Sequence, residues 1–314
     1  MIVDDSAIIR GLIARTLEAE PGIVVVASVP DGEQAVRTVS QHDVDVVVLD
    51  IEMPVMDGMT ALPLILAKRP DVKVIVASTL TRRNADMSLR ALSKGATDYI
   101  PKPTSIRELA GADEFKRELV TKVLALGAAR RRHRPADKPP QFASAPKPAQ
   151  GREPVALRRA SNLPATVLAV GSSTGGPQAL ATLFSDLKGM IRVPVLITQH
   201  MPPTFTAILA EHIGRASGLS CAEATNGERI APGRIYVAPG DFHMEVTRDG
   251  DQRVIRLHQG PRENFCRPAV DPMLRSIAAA YGPGTLCAIL TGMGHDGLAG
   301  GRAVVGAGGT MLAQ

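Results

Sequence analysis

Two sets of side chains in this sequence could do chemistry, and both stand at the ends of short apolar runs. In the first set, Met1-Ile2-Val3 leads into Asp4-Asp5, Val46-Val47-Val48-Leu49 ends in Asp50, Val74-Ile75-Val76-Ala77 ends in Ser78, and Asp98-Tyr99-Ile100 leads to Lys102-Pro103. Three carboxylates brought together repel one another unless a cation sits among them. Oxygen-only ligands with open positions suit Mg²⁺. With that charge neutralised, one carboxylate can attack a phosphoryl group while Lys102 and Ser78 bind the added oxygens. Taken singly, Asp4 and Asp5 could cap a helix and Asp50 could simply end a strand. Their conjunction at four run ends argues for a pocket.

The second set begins at Gly171-Ser172-Ser173-Thr174-Gly175-Gly176, between the apolar run 166–170 and a helical stretch from Pro177 to Asp186. Gly171 to Gly175 fits G-x-S-x-G in the strand-to-helix context that exposes a nucleophilic serine. The following helix N-terminus offers free N–H groups to a developing oxyanion. A phosphate-binding loop also wants glycines there. Against it, no lysine follows, and the next run, Val193–Thr198, ends in Gln199-His200 where a ribose-binding acid would be expected. A serine needs a base and the base an orienting acid. Of seven histidines, His200 stands at the run end after the elbow, and His243 is its main competitor. His212 falls on a helix, His258 in an alternating strand and His295 in a loop. His42 and His133 lie outside this half. Asp296, after Leu286-Cys-Ala-Ile-Leu-Thr291, supplies the acid at the same edge. No metal-ligand spacing appears here, so no cofactor is expected in this half.

Both sets need parallel sheets to bring them together. Runs 23–29, 44–49 and 72–77 read as strands, and residues 8–18 and 32–40 as helices. Alternation of this kind predicts α/β architecture with βαβ units, and function sits at the carboxyl ends of such strands. The expected organisation is one doubly wound parallel-sheet domain at 1–126, a linker at 127–164 and a second at 165–314. The first strand is short, and the chain stops at the start of another, so shortened ends and an exposed sheet edge are expected.

Composition narrows the classes of function. The net charge is +5, but residues 127–164 carry nine basic residues against two acids, leaving −2 for the rest. Seven prolines in the same stretch mark it as a solvated spacer, not a nucleic-acid surface. Aromatics are 3% with no Trp, which supplies little for stacking on bases. No helix-turn-helix pattern or basic domain supports a DNA-binding regulator. No apolar run spans a bilayer, so no membrane insertion is expected. Three scattered cysteines fit reduced thiols in a cytoplasmic protein.

The motifs carry a resemblance. Asp4-Asp5-Ser6, Asp50 with Met53-Pro54-x-Met56-Asp57-Gly58, then Ser78 and Lys102-Pro103 resemble the response-regulator receiver domain. That resemblance implies a flavodoxin-like fold with Asp50 as phosphoacceptor. Mg²⁺ would be held by Asp5, Asp50 and the backbone carbonyl of Glu52, with Asp4 in the acidic pocket and Ser78 and Lys102 as switch residues. Gly171–Gly176, Ile197-Thr-Gln-His-Met-Pro-Pro203, Tyr236-Val-Ala-Pro-Gly-Asp241, Arg267-Pro-Ala-Val-Asp271 and Leu290–Gly297 resemble the catalytic domain of CheB-type protein-glutamate methylesterases. This second resemblance implies a Rossmann-like domain with Ser173 as nucleophile, His200 as base and Asp296 as its partner. It also implies an oxyanion hole from the N–H groups of Thr174 and Met293. The implied substrate is the γ-glutamyl methyl ester of a methyl-accepting chemoreceptor's cytoplasmic domain, with deamidation of receptor glutamines at the same site. A sensor histidine kinase is the implied phosphodonor, and the receiver is expected to cover the cleft until Asp50 is phosphorylated. The alternative is an esterase-fold regulator that acts on another protein or by docking alone.

Overall fold

A computed structural model describes residues 1–102, 113–133 and 163–314. Pro103 and most of the expected linker lie outside the described residues. The first sheet runs in the order β2-β1-β3-β4-β5, all parallel, from β1 (Ile2–Val3), β2 (Ser28–Val29), β3 (Val46–Asp50), β4 (Lys73–Ser78) and β5 (Asp98–Pro101). It is sandwiched between helices because its strands are apolar on both sides. Along β3, Val46 and Val48 meet α1 (Ala7–Glu18) and α5 (Asp113–His133) in one core. Val47 and Leu49 meet α2 (Gly32–Thr38), α3 (Gly58–Lys68) and α4 (Arg82–Ser93) in another. Side-chain oxygens of Ser6, Asp31, Asp57 and Thr81 cap α1 to α4, satisfying N–H groups that would otherwise lack partners.

One expected strand is corrected. The strand expected over 23–29 pairs only at Ser28–Val29, because β1 offers two residues as partners, Ile2↔Ser28 and Val3↔Val29; Val24 is exposed. Helix α5 runs on through His133, past Gly127 where the linker is expected to open. Arg130 is buried there, with Asp45 at 2.7 Å, Asp71 at 2.7 Å and Asp43 at 3.0 Å. Three carboxylates make a buried guanidinium tolerable where composition alone suggested a solvated tether.

The second sheet is also all parallel, in the order β13-β12-β6-β7-β9-β8. Its strands are β6 (Val167–Ser172), β7 (Val195–Gln199), β8 (Ser220–Glu223), β9 (Arg234–Val237), β12 (Thr285–Ile289) and β13 (Thr310–Ala313). Leu168 and Val170 face α6 (Gly176–Asp186) and α7 (Phe205–Ser217). Val167 and Ala169 face α8 (Val270–Tyr281) and α9 (Leu298–Gly306). An antiparallel hairpin of β10 (His243–Asp249) and β11 (Gln252–His258) packs on α8, an element the alternation of strands and helices did not announce. Strands β6, β7 and β12 are contiguous, so their carboxyl ends open onto one rim. At the seam between the domains, Tyr99 of β5 stacks on Phe205 of α7 with ring centres 4.7 Å apart.

Candidate active site

Ser173 follows β6 directly, and its placement rests on two close approaches. A Cβ at Gly176 would sit 1.9 Å from Gln199 Oε1, and one at Gly292 would sit 2.9 Å from Ser173 Cβ. Both positions therefore need glycine. Gln199 locks the elbow from below: Ser172 Oγ donates to its Oε1 at 2.6 Å, and its Nε2 donates to the Ser173 carbonyl at 2.9 Å. The Ser173 N–H donates to the Thr291 carbonyl at 3.0 Å, tying the elbow to the loop after β12. Gln199 is a site residue the sequence reading passed over, although its position beside His200 at a strand end was visible.

The three residues expected to act together do meet. Ser173 Oγ lies 3.1 Å from His200 Nδ1, and His200 Nε2 lies 2.7 Å from Asp296 Oδ2. With Nε2–H held by the carboxylate, Nδ1 presents a lone pair to the hydroxyl. These groups border a cavity of about 360 Å³ that Met293 and Gly294 also line. Thr174 is buried beside that cavity but is not among its lining residues; its carbonyl accepts from Thr291 Oγ1 at 3.1 Å. His243 is no competitor: it is buried, with Nε2 donating to the Pro261 carbonyl at 3.0 Å and Nδ1 accepting from Ala269 N–H at 3.3 Å. His295 is exposed, and His212 faces Asp86 at 3.2 Å.

Electrostatics favour a charged ring. Burial opposes protonation of His200, but hydrogen bonds to Asp296 and Cys266 raise it to about 9. Burial would push Asp296 up, yet His200 and the backbone N–H groups of Val270 and Asp271 hold it below the usual carboxylate range. A base must be neutral to take a proton, so at pH 7 only about one ring in a hundred is ready. Hydrolysis should therefore accelerate about tenfold per pH unit towards pH 9 and level off above it. Methanol release from pH 6 to 10, corrected for alkaline ester loss, checks this; a rate already level from pH 7 upward would show that the ring is neutral there and overturn the raised pKa.

In the first domain Lys102 Nζ lies 2.8 Å from Asp4 Oδ2 and 2.7 Å from Asp50 Oδ2, all three buried. Burial raises Asp50 to about 6 against the pull of Lys102. Carboxylate oxygens of Asp4, Asp5 and Asp50 come within 4.8 Å of one another. This set fits a small hard cation, and it places Asp4 alongside the expected Asp5 and Asp50. The Glu52 side chain is exposed and accepts from Asn84 Nδ2 at 3.1 Å. Ser78 Oγ shares a hydrogen bond with Ser88 Oγ of α4 at 2.7 Å.

Comparison with known proteins decides the family. Residues 168–314 match the family model described as CheB methylesterase, and residues 1–112 match the response regulator receiver domain. The chain is 58% identical over its whole length, and over 86% of the relative, to protein-glutamate methylesterase/protein-glutamine glutaminase 1 of Paramagnetospirillum magneticum. It is 56% identical over its whole length to the enzyme of the same name, without the number, from Azospirillum brasilense, covering 82% of it. The chain belongs to the CheB methylesterase family. Among solved structures, the Thermotoga maritima CheB methylesterase catalytic domain is 39% identical, covers 48% of this chain and 79% of that one, and superposes with a TM-score of 0.46. A receiver joined to a methylesterase domain makes this a response-regulator ester hydrolase of chemotaxis, and receiver domains bind Mg²⁺ through acidic residues in general. Among the described residues no helix is long and apolar enough to cross a membrane.

Proposed function

We propose that this CheB methylesterase removes methyl groups from glutamate γ-methyl esters of chemoreceptors through Ser173, His200 and Asp296, under control of phosphorylation at Asp50. The observation that carries the reading is the unbroken relay from Ser173 Oγ through His200 to Asp296. Ser173 Oγ attacks the ester carbonyl carbon and passes its proton to His200 Nδ1. The tetrahedral intermediate collapses with loss of methoxide, which takes that proton and leaves as methanol. Water, deprotonated by the same nitrogen, then attacks the acyl-enzyme and releases glutamate and free Ser173. The N–H groups of Thr174 and Met293 stabilise the oxyanion, worth about 2.7–4 kcal/mol per donor in such sites. Deamidation of receptor glutamine follows the same course with ammonia as leaving group.

In the receiver, Asp5, Asp50 and the carbonyl of Glu52, with Asp4 beside them, would hold Mg²⁺, which when bound offsets the negative charge met by an incoming phosphoryl group. Lys102 and Ser78 bind the phosphoryl oxygens, and a sensor histidine kinase is the phosphodonor. The chain works as two units, the receiver over residues 1–126 and the esterase over 165–314, in the cytoplasm. The deciding experiment follows methanol released from a methylated receptor fragment, with and without acetyl phosphate. Release that rises with the phosphodonor supports the reading; no release under either condition refutes it.

A further inference from the structure

Asp296 owes its orientation to more than His200. Its Oδ2 accepts the N–H of Val270 at 2.6 Å, and its Oδ1 accepts the N–H of Asp271 at 3.0 Å. Val270 and Asp271 open helix α8, so Asp296 caps that helix from outside. Asp271, itself buried, does the reverse: its Oδ1 accepts Gly297 N–H at 3.1 Å and Gly300 N–H at 2.6 Å, at the start of α9. Each carboxylate therefore caps the helix that begins beside the other, using N–H groups that lack partners within the helix. The side-chain amide of Asn264 joins the two. Its Nδ2 lies 3.1 Å from Asp271 Oδ2 and 3.1 Å from Asp296 Oδ1. An NH₂ group has two hydrogens, one for each carboxylate. Asn264 takes φ 51°, a left-handed conformation that asparagine tolerates better than most residues.

We infer that Asn264 and Asp271 are positioning residues for the hydrolysis, fixing Asp296 so that Oδ2 alone faces His200. Their hydrogen bonds go to Asp296 and the helix N–H groups, while the ring bonds Ser173 and Asp296. They act by leaving Asp296 one orientation, so that the imidazole keeps Nδ1 towards Ser173. This rests on the reading of Ser173, His200 and Asp296 as the reacting set.

The test uses the full chain and a methylated receptor fragment. Asn264→Gly suits the left-handed backbone and removes only the amide, so kcat should fall about tenfold while KM and the thermal midpoint stay put. Asn264→Asp places a third carboxylate against two and should lower kcat by about a hundredfold. Asp271→Asn can keep Oδ1 on the α9 N–H groups, but then turns its amide towards that of Asn264, donor against donor. It should thus cost about as much as Asn264→Gly, and the double variant should lose no more than either single one. An unchanged kcat in Asn264→Gly, a rise confined to KM, or losses that multiply in the double variant would each overturn the assignment. If Ser173→Ala retains turnover, the underlying triad reading fails instead, so the two failures are separable.

Discussion

Replacing Ser173 with alanine should stop ester hydrolysis, by a factor on the order of 10⁴ or more, while leaving phosphorylation of Asp50 intact. The hydroxyl is the group placed against His200 Nδ1, at 3.1 Å, and alanine has nothing to attack with. The fold should not notice the change. The backbone bonds that set the elbow run from the Ser173 N–H to Thr291 and from Gln199 Nε2 to the Ser173 carbonyl, and neither uses Oγ. The comparison is methanol release on one hand and incorporation of label from acetyl phosphate on the other. Substantial residual turnover would disprove Ser173 as the nucleophile.

The parts of the molecule that were legible in its sequence are those where one residue type at one strand end suffices. Ser173, His200 and Asp296 each follow an apolar run, and parallel pairing of β6 with β7 and β12 places those ends side by side. The acidic pocket was legible for the same reason, since Asp4, Asp50 and Lys102 end or follow β1, β3 and β5. Residues held by backbone groups distant in sequence were not legible. Asp296 and Asp271 accept N–H groups at the starts of α8 and α9, and Asn264 donates to both carboxylates; no periodicity encodes that reciprocal capping. The charge of Arg130 misled for a related reason. A basic cluster beside prolines reads as solvated, yet Asp43, Asp45 and Asp71 draw Arg130 into a buried network from 59 to 87 residues away.

A chain shortened to begin at Leu163, without the receiver, should hydrolyse ester at least tenfold faster than the unphosphorylated full chain. The receiver leans on the esterase through α4. Arg82 meets Glu211 at 2.6 Å, Asp86 meets His212 at 3.2 Å, and Gln178 Nε2 donates to the Ala96 carbonyl at 2.6 Å. From α5, Arg117 covers the ring of Phe265 at 4.6 Å. Exposed ion pairs such as Arg82–Glu211 contribute about 0.2–1 kcal/mol, and an aromatic stack such as Tyr99 on Phe205 about 0.5–1.5 kcal/mol. Tenfold control requires about 1.4 kcal/mol, so these few contacts are enough and no large interface is needed. The proposed phosphorylation of Asp50 would reach them through α4. Ser78 Oγ is shared with Ser88 Oγ, and Ser88 Oγ donates to the Asn84 carbonyl, both within the docked helix α4. A phosphoryl group that recruits the Ser78 hydroxyl takes it from Ser88 and alters the helix that holds the esterase. Asp50→Asn in the full chain should accordingly keep the low basal rate and ignore acetyl phosphate. If the shortened chain is no faster than the full one, the receiver does not restrain the esterase, and Ser78–Ser88 is only a packing contact.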